Sequence, residues 1–167
     1  MKEKTKKTAF LGVVTSVALV LSYLEAILPP LYAAVPGVKV GLPNLVIIFI
    51  LYKYSFKEAF SISLVRVLIV ALLFGNVMTL AYSTAGAILS IIVMVLLKKT
   101  DKFSTVGVSI AGGVAHNAGQ VLVAIFLLDS TQIGYYMIIL AITGTIAGVF
   151  IGLAGGLLLK KLEKIKV

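Results

Sequence analysis

Apolar runs of roughly twenty residues, punctuated by short clusters of lysine, recur along this 167-residue chain. That is the length a helix needs to cross the hydrocarbon of a bilayer. Backbone in lipid must satisfy its own hydrogen bonds, and a helix does so within itself. With 60% hydrophobic and 13% charged residues, a domain this small has too little interior to hide its apolar surface from water. The expected fold is therefore all-α: a polytopic membrane bundle forming a single integral membrane domain over residues 1–167.

A formal net charge of +9 would suit nucleic acid, but the basic residues sit between apolar runs and form no stripe with interleaved aromatics. They read as topology signals. Cysteine is absent, which removes disulfide frameworks, thiol nucleophiles and cysteine metal sites from consideration. The basic start, Met1 to Lys7, leads into an apolar run that reaches Leu28 and ends in Pro29-Pro30 without a small-residue cleavage pattern, so a retained first helix is expected rather than a signal peptide.

Six helices are expected. The first runs from Thr8 to Leu28 and stops at Pro29-Pro30, where the amide hydrogen is missing and the ring clashes with the preceding turn. Residues 29–43, broken by Pro36-Gly37 and carrying Lys39, form an outer loop that dips over the membrane face. Pro43-Asn44 opens a short second helix to about Tyr54, with proline where its missing donor costs little. The others run from about Phe56 to Phe74, Val77 to Leu97, Ser104 to Leu128 and Gly134 to Leu159. Basic residues favour the cytoplasmic side. With residues 1–7 as a cytoplasmic tail, the inner segments hold Lys2, Lys4, Lys6, Lys7, Lys53, Lys57, Lys98, Lys99, Lys102, Lys160, Lys161, Lys164 and Lys166, against Lys39 alone outside. Both ends are thus expected in the cytoplasm, an arrangement that requires an even number of spans.

Small residues mark close helix approach in membranes. Gly144, Gly148, Gly152 and Gly156 recur every four residues in the sixth helix, and Ala111, Ala115 and Gly119 in the fifth, consistent with packing inside the bundle. Thr8, Gly12 and Ser16 repeat the spacing in the first helix, where internal packing and docking of a partner membrane subunit are both open.

Polar groups at bilayer depth are more informative, since an arginine at a helix centre costs on the order of 3 kcal/mol. Arg66 lies inside the third helix, and Glu25, near the outer end of the first, is the acid placed to answer it. An internal ion pair and a charged cavity wall are compatible readings. Ser109, Gly113, His116, Asn117 and Gln120 fall on one face of the fifth helix, and Thr79, Ser83, Gly86 and Ser90 on one face of the fourth. A lone histidine without neighbouring acids does not make a metal site, so no metal and no cofactor are expected. With Lys39 and Asn44 beside the outer loop, the polar set points to a pocket open to the outside.

These features, namely Glu25 with Pro29-Pro30, the run Pro36-Gly37-Val38-Lys39-Val40-Gly41-Leu42-Pro43-Asn44, Arg66, Ser83 with Gly86, and His116-Asn117-Ala118-Gly119-Gln120, resemble the Gx transporter family, also labelled heptaprenyl diphosphate synthase component I. The resemblance covers nearly the whole chain. It implies a six-helix fold similar to the substrate-binding subunits (S components) of energy-coupling factor transporters. Those proteins sit in the cytoplasmic membrane of prokaryotes, capture small ligands from outside, and work with a membrane coupling subunit and ATPases. It further implies a ligand related to isoprenoids or flavins, and a docking surface on the first helix, at Thr8, Gly12 and Ser16.

Prenyl diphosphate synthases gather aspartates around magnesium, whereas Asp101 and Asp129 here are isolated, and no Gly-x-x-x-x-Gly-Lys run cradles a nucleotide. The chain is therefore expected not to be an enzyme. The leading expectation is a binding subunit with a pocket from Glu25, Lys39, Asn44, Arg66, Ser83, His116, Asn117 and Gln120. One rival is a non-catalytic membrane subunit associated with heptaprenyl diphosphate synthesis. The last is an enzyme using His116 as general base, for which no second catalytic group stands out.

Overall fold

The computed structural model describes residues 3–27 and 41–162. Lys39 and most of the expected outer loop lie outside the described residues. Six α-helices follow one another: α1 Glu3–Ile27, α2 Asn44–Lys53, α3 Phe56–Phe74, α4 Val77–Lys99, α5 Thr105–Leu128 and α6 Tyr136–Leu162, with a 3-10 turn at Thr131–Tyr135 before α6.

Local chemistry sets the boundaries. Ser55 caps α3 by accepting from the Lys57 N–H, and its hydroxyl donates to the Glu58 carboxylate. The Asn76 side chain accepts from Thr79 N–H at 2.8 Å to start α4, and Ser104 accepts from Gly107 N–H at 3.2 Å to start α5. Each cap satisfies a donor that the first turn leaves without an intrahelical partner. Asp129, at φ 46°, ends α5 in the left-handed conformation that aspartate tolerates better than most side chains.

Among the described residues, four elements are long and apolar enough to cross a membrane: α1, α4, α5 and the Thr131–Leu162 segment. α3 has 19 residues, enough for a span, but carries Lys57, Glu58 and Arg66. α2 is the short helix expected after Pro43. Its 10 residues rise only about 15 Å, half the hydrocarbon thickness, and Val46 through Leu51 are 6% exposed or less. A helix that is apolar all round belongs in a core. α2 is accordingly an internal plug, packed on α6, α3 and α1.

Neighbouring pairs close a ring: α1 on α3, α3 on α4, α4 on α5, α5 on α6, α6 on α2 and α2 on α1. Glycine sets the spacing around α5. A Cβ on Gly119 would meet the Ala85 carbonyl oxygen at 2.7 Å, one on Gly113 the Gly144 oxygen at 2.8 Å, and one on Gly148 the Ile110 Cα at 2.5 Å. The Gly144, Gly148 and Gly152 series does face α5. Gly156 does not continue it: a Cβ there would meet nothing within 4 Å, while Gly155 turns to α2 and would meet Ile48 at 2.9 Å. The helix repeats every 3.6 residues, so a strict spacing of four drifts off the contact line.

Lysines gather at one end of the ring. Lys7 pairs with Glu58 at 2.6 Å, Lys53 donates to the Leu162 carbonyl at 3.0 Å, and Lys98 donates to the Leu51 carbonyl at 2.5 Å. Cations there satisfy the last carbonyls of α2 and α6 and complement their dipoles. Glu25, Asn44 and Asn76 mark the opposite end.

Candidate functional site

Inside the ring is a cavity to which all six helices or their entry turns contribute. From α1 come Ser22 and Glu25. Gly41 and Asn44 come from the entry to α2, Arg66 from α3, and Thr79, Ser83 and Ser90 from α4. α5 supplies Ser109, Gly112, Gly113, His116, Asn117 and Gln120, and α6 supplies Gly144 and Gly148. Val67, Val70, Met94, Ala147 and Ile151 form its apolar wall. Its volume of about 50 Å³ holds several waters or a compact polar group, since one water needs roughly 10–15 Å³.

Seven of the eight residues singled out in the sequence thus border one space: Glu25, Asn44, Arg66, Ser83, His116, Asn117 and Gln120. The eighth, Lys39, lies outside the described residues. The α5 stripe points inward because α5 is flanked by α4 and α6 and turns the remaining face to the cavity. Nothing in the sequence marks Ser22, a lone hydroxyl that donates to Ala18 O at 2.8 Å, or the apolar wall, whose residues look like any others in a lipid helix.

The polar residues are held differently. Asn117, 5% exposed, donates through Nδ2 to Leu140 O at 2.7 Å. That contact needs glycine at 144, where a Cβ would stand 2.9 Å from the same nitrogen. Asn117 therefore locks α5 to α6 as well as lining the cavity. The Glu25 carboxylate accepts the N–H of Gly41, tying the end of α1 to the entry of α2. Gly41 has φ +79°, a conformation that costs other residues on the order of 1–2 kcal/mol.

Arg66 is the exception. Its Nε is buried with no hydrogen-bond partner, and Glu25 acts on it through charge; among the described residues, the ion pair within 4 Å is Lys7–Glu58, at the lysine end. A guanidinium keeps its charge inside a protein, and Arg66 brings that charge to the cavity wall. An apolar wall with a few convergent polar groups is the composition of small-molecule sites.

Thr8, Gly12 and Ser16 lie apart from this space on the exposed face of α1. Both hydroxyls turn back onto the helix, Thr8 to Lys4 O at 3.0 Å and Ser16 to Gly12 O at 3.1 Å, and a Cβ on Gly12 would meet nothing within 4 Å. The strip is smooth and satisfied. The two aspartates are separated by the length of the bundle, Asp101 following α4 at the lysine end and Asp129 ending α5 at the other.

A family model described as heptaprenyl diphosphate synthase component I matches residues 14–158. The chain belongs to that family. The component I match takes in every residue that lines the cavity, from Ser22 to Ile151, and leaves Thr8 and Gly12 outside it. No curated protein and no solved structure matches the chain.

Proposed function

We propose that this component I family member is the membrane substrate-binding subunit of a transporter of the energy-coupling factor type. It takes a small ligand into the ring from the outer side of the cytoplasmic membrane. The lysine end faces the cytoplasm, where basic residues near helix ends are retained, and Glu25, Gly41 and Asn44 line the cavity toward the other end. The observation that carries the reading is the convergence of Glu25, Asn44, Arg66, Ser83, His116, Asn117 and Gln120, from five parts of the chain, on one space. A bundle in lipid has no reason to bring so many polar groups together unless they surround water or a ligand. An isoprenoid- or flavin-related ligand fits the resemblance; at about 50 Å³ the cavity takes a headgroup rather than a long prenyl chain.

The exposed strip of Thr8, Gly12 and Ser16 is the docking surface for a coupling subunit with its ATPases, since small residues let another helix approach closely. Affinity purification in mild detergent tests this. The wild type is expected to bring down a membrane coupling subunit and ATPases. Gly12→Leu, which meets no neighbour within the fold, is expected to lose them while unfolding at the same temperature as the wild type. The family's name supports a second reading, a non-catalytic membrane subunit associated with heptaprenyl diphosphate synthesis. Recovery of a soluble prenyl synthase in place of the ATPases would favour it.

A further inference from the structure

We infer that the group anchored in the cavity is a compact oxyanion, a carboxylate or a phosphate, bound by the Arg66 guanidinium. This rests on the binding reading above and deepens it by naming the chemistry of the ligand. Arg66 is a permanent cation whose Nε is buried without a hydrogen-bond partner. The Glu25 carboxylate influences it through charge but spends hydrogen-bonding capacity on the Gly41 N–H. A guanidinium donor left without a hydrogen bond in a low-dielectric interior is costly, and the planar fork of donors matches the two oxygens of a carboxylate or phosphate.

The surroundings agree. Ser83 and Gln120 line the same cavity as Arg66, and their neutral donors can complete the shell of an oxyanion without bringing further charge. A neutral or cationic ligand would leave Arg66 with the charge of Glu25 alone. A long anionic chain would not fit in about 50 Å³, so the anionic head enters and any remainder lies outside it.

Thermal unfolding of the full chain in nanodiscs tests the inference, with sodium phosphate, sodium acetate, glycerol and choline chloride as probes at constant ionic strength. Phosphate, acetate or both should raise the unfolding temperature of the wild type, while glycerol and choline should not. A response to acetate alone assigns a carboxylate, and one to phosphate alone a phosphate. Arg66→Gln should weaken the apparent affinity at least tenfold. Arg66→Lys should retain part of it, and Lys160→Gln, exposed at the lysine end, should respond like the wild type. An equal anion response in wild type and Arg66→Gln overturns the inference, as does stabilisation by glycerol or choline alone. If no probe acts, the inference also fails. Native mass spectrometry of the wild type then separates the two claims: a co-purified neutral molecule keeps the binding reading, and its absence removes both.

Discussion

Replacing Gly148 with valine should prevent α5 and α6 from closing, and little folded protein should be recovered from detergent-solubilised membranes. The reason is local. A Cβ at 148 would stand 2.5 Å from the Ile110 Cα, 2.9 Å from its nitrogen and 3.0 Å from the Ser109 oxygen. All three are backbone atoms, so no rotamer change makes room and the helices must separate. Overpacking of this kind costs roughly 1–3 kcal/mol and occasionally more. Here it also pulls Asn117 from Leu140 O, a buried hydrogen bond of 2.7 Å whose loss adds about 1 kcal/mol. Gly156→Ala is the matched control. With nothing within 4 Å, it should be neutral or stabilise by about 0.5–1 kcal/mol through helix propensity. Size-exclusion profiles and thermal unfolding of the two variants decide the matter; equal behaviour would mean that the glycine line does not set the α5–α6 distance.

Ala147→Leu should abolish ligand binding with the bundle intact. Ala147 borders the cavity from α6, and leucine adds three carbons to a space of about 50 Å³. If the space were only a packing defect, filling it would stabilise the protein by about 0.5–2 kcal/mol. As a binding chamber that hydrates Arg66, it should yield a different result: no gain in stability, since the guanidinium loses its solvent, and no bound molecule. Native mass spectrometry beside unfolding curves separates these cases. A clear stabilisation with any co-purified molecule still bound would contradict the assignment.

Much of the bundle was legible in the sequence because lipid imposes a simple grammar. Apolar runs must be helical, and prolines, serine and asparagine caps and lysines punctuate them, so the start of α3 at Phe56 and of α4 at Val77 were readable within a residue. The inward face of α5 was readable too, because Ser109, His116, Asn117 and Gln120 at helical spacing cannot all face lipid. What escaped depends on partners distant in the chain. The burial of α2 escaped because its apolarity is that of lipid-facing sequence; only its neighbours α1, α3 and α6 show it as core. Gly155 rather than Gly156 meets a neighbour because α2 crosses there, which no spacing within α6 reveals. Asn117 combines a packing hydrogen bond with a place in the cavity wall, and its bond partner, Leu140 O, is a backbone atom of another helix.

The cavity inside the ring is expected to be filled with water and reachable from the side away from the lysines. The absence of native cysteine permits a direct measurement, the reaction of single cysteines with a charged, membrane-impermeant thiol reagent in right-side-out and inside-out vesicles. Ser83→Cys, in the cavity wall, should react in right-side-out vesicles, whereas Leu72→Cys, 83% exposed on the outer surface of the ring, should stay inert because lipid excludes the reagent. An unreactive Ser83→Cys, or one labelled only in inside-out vesicles, would contradict the account.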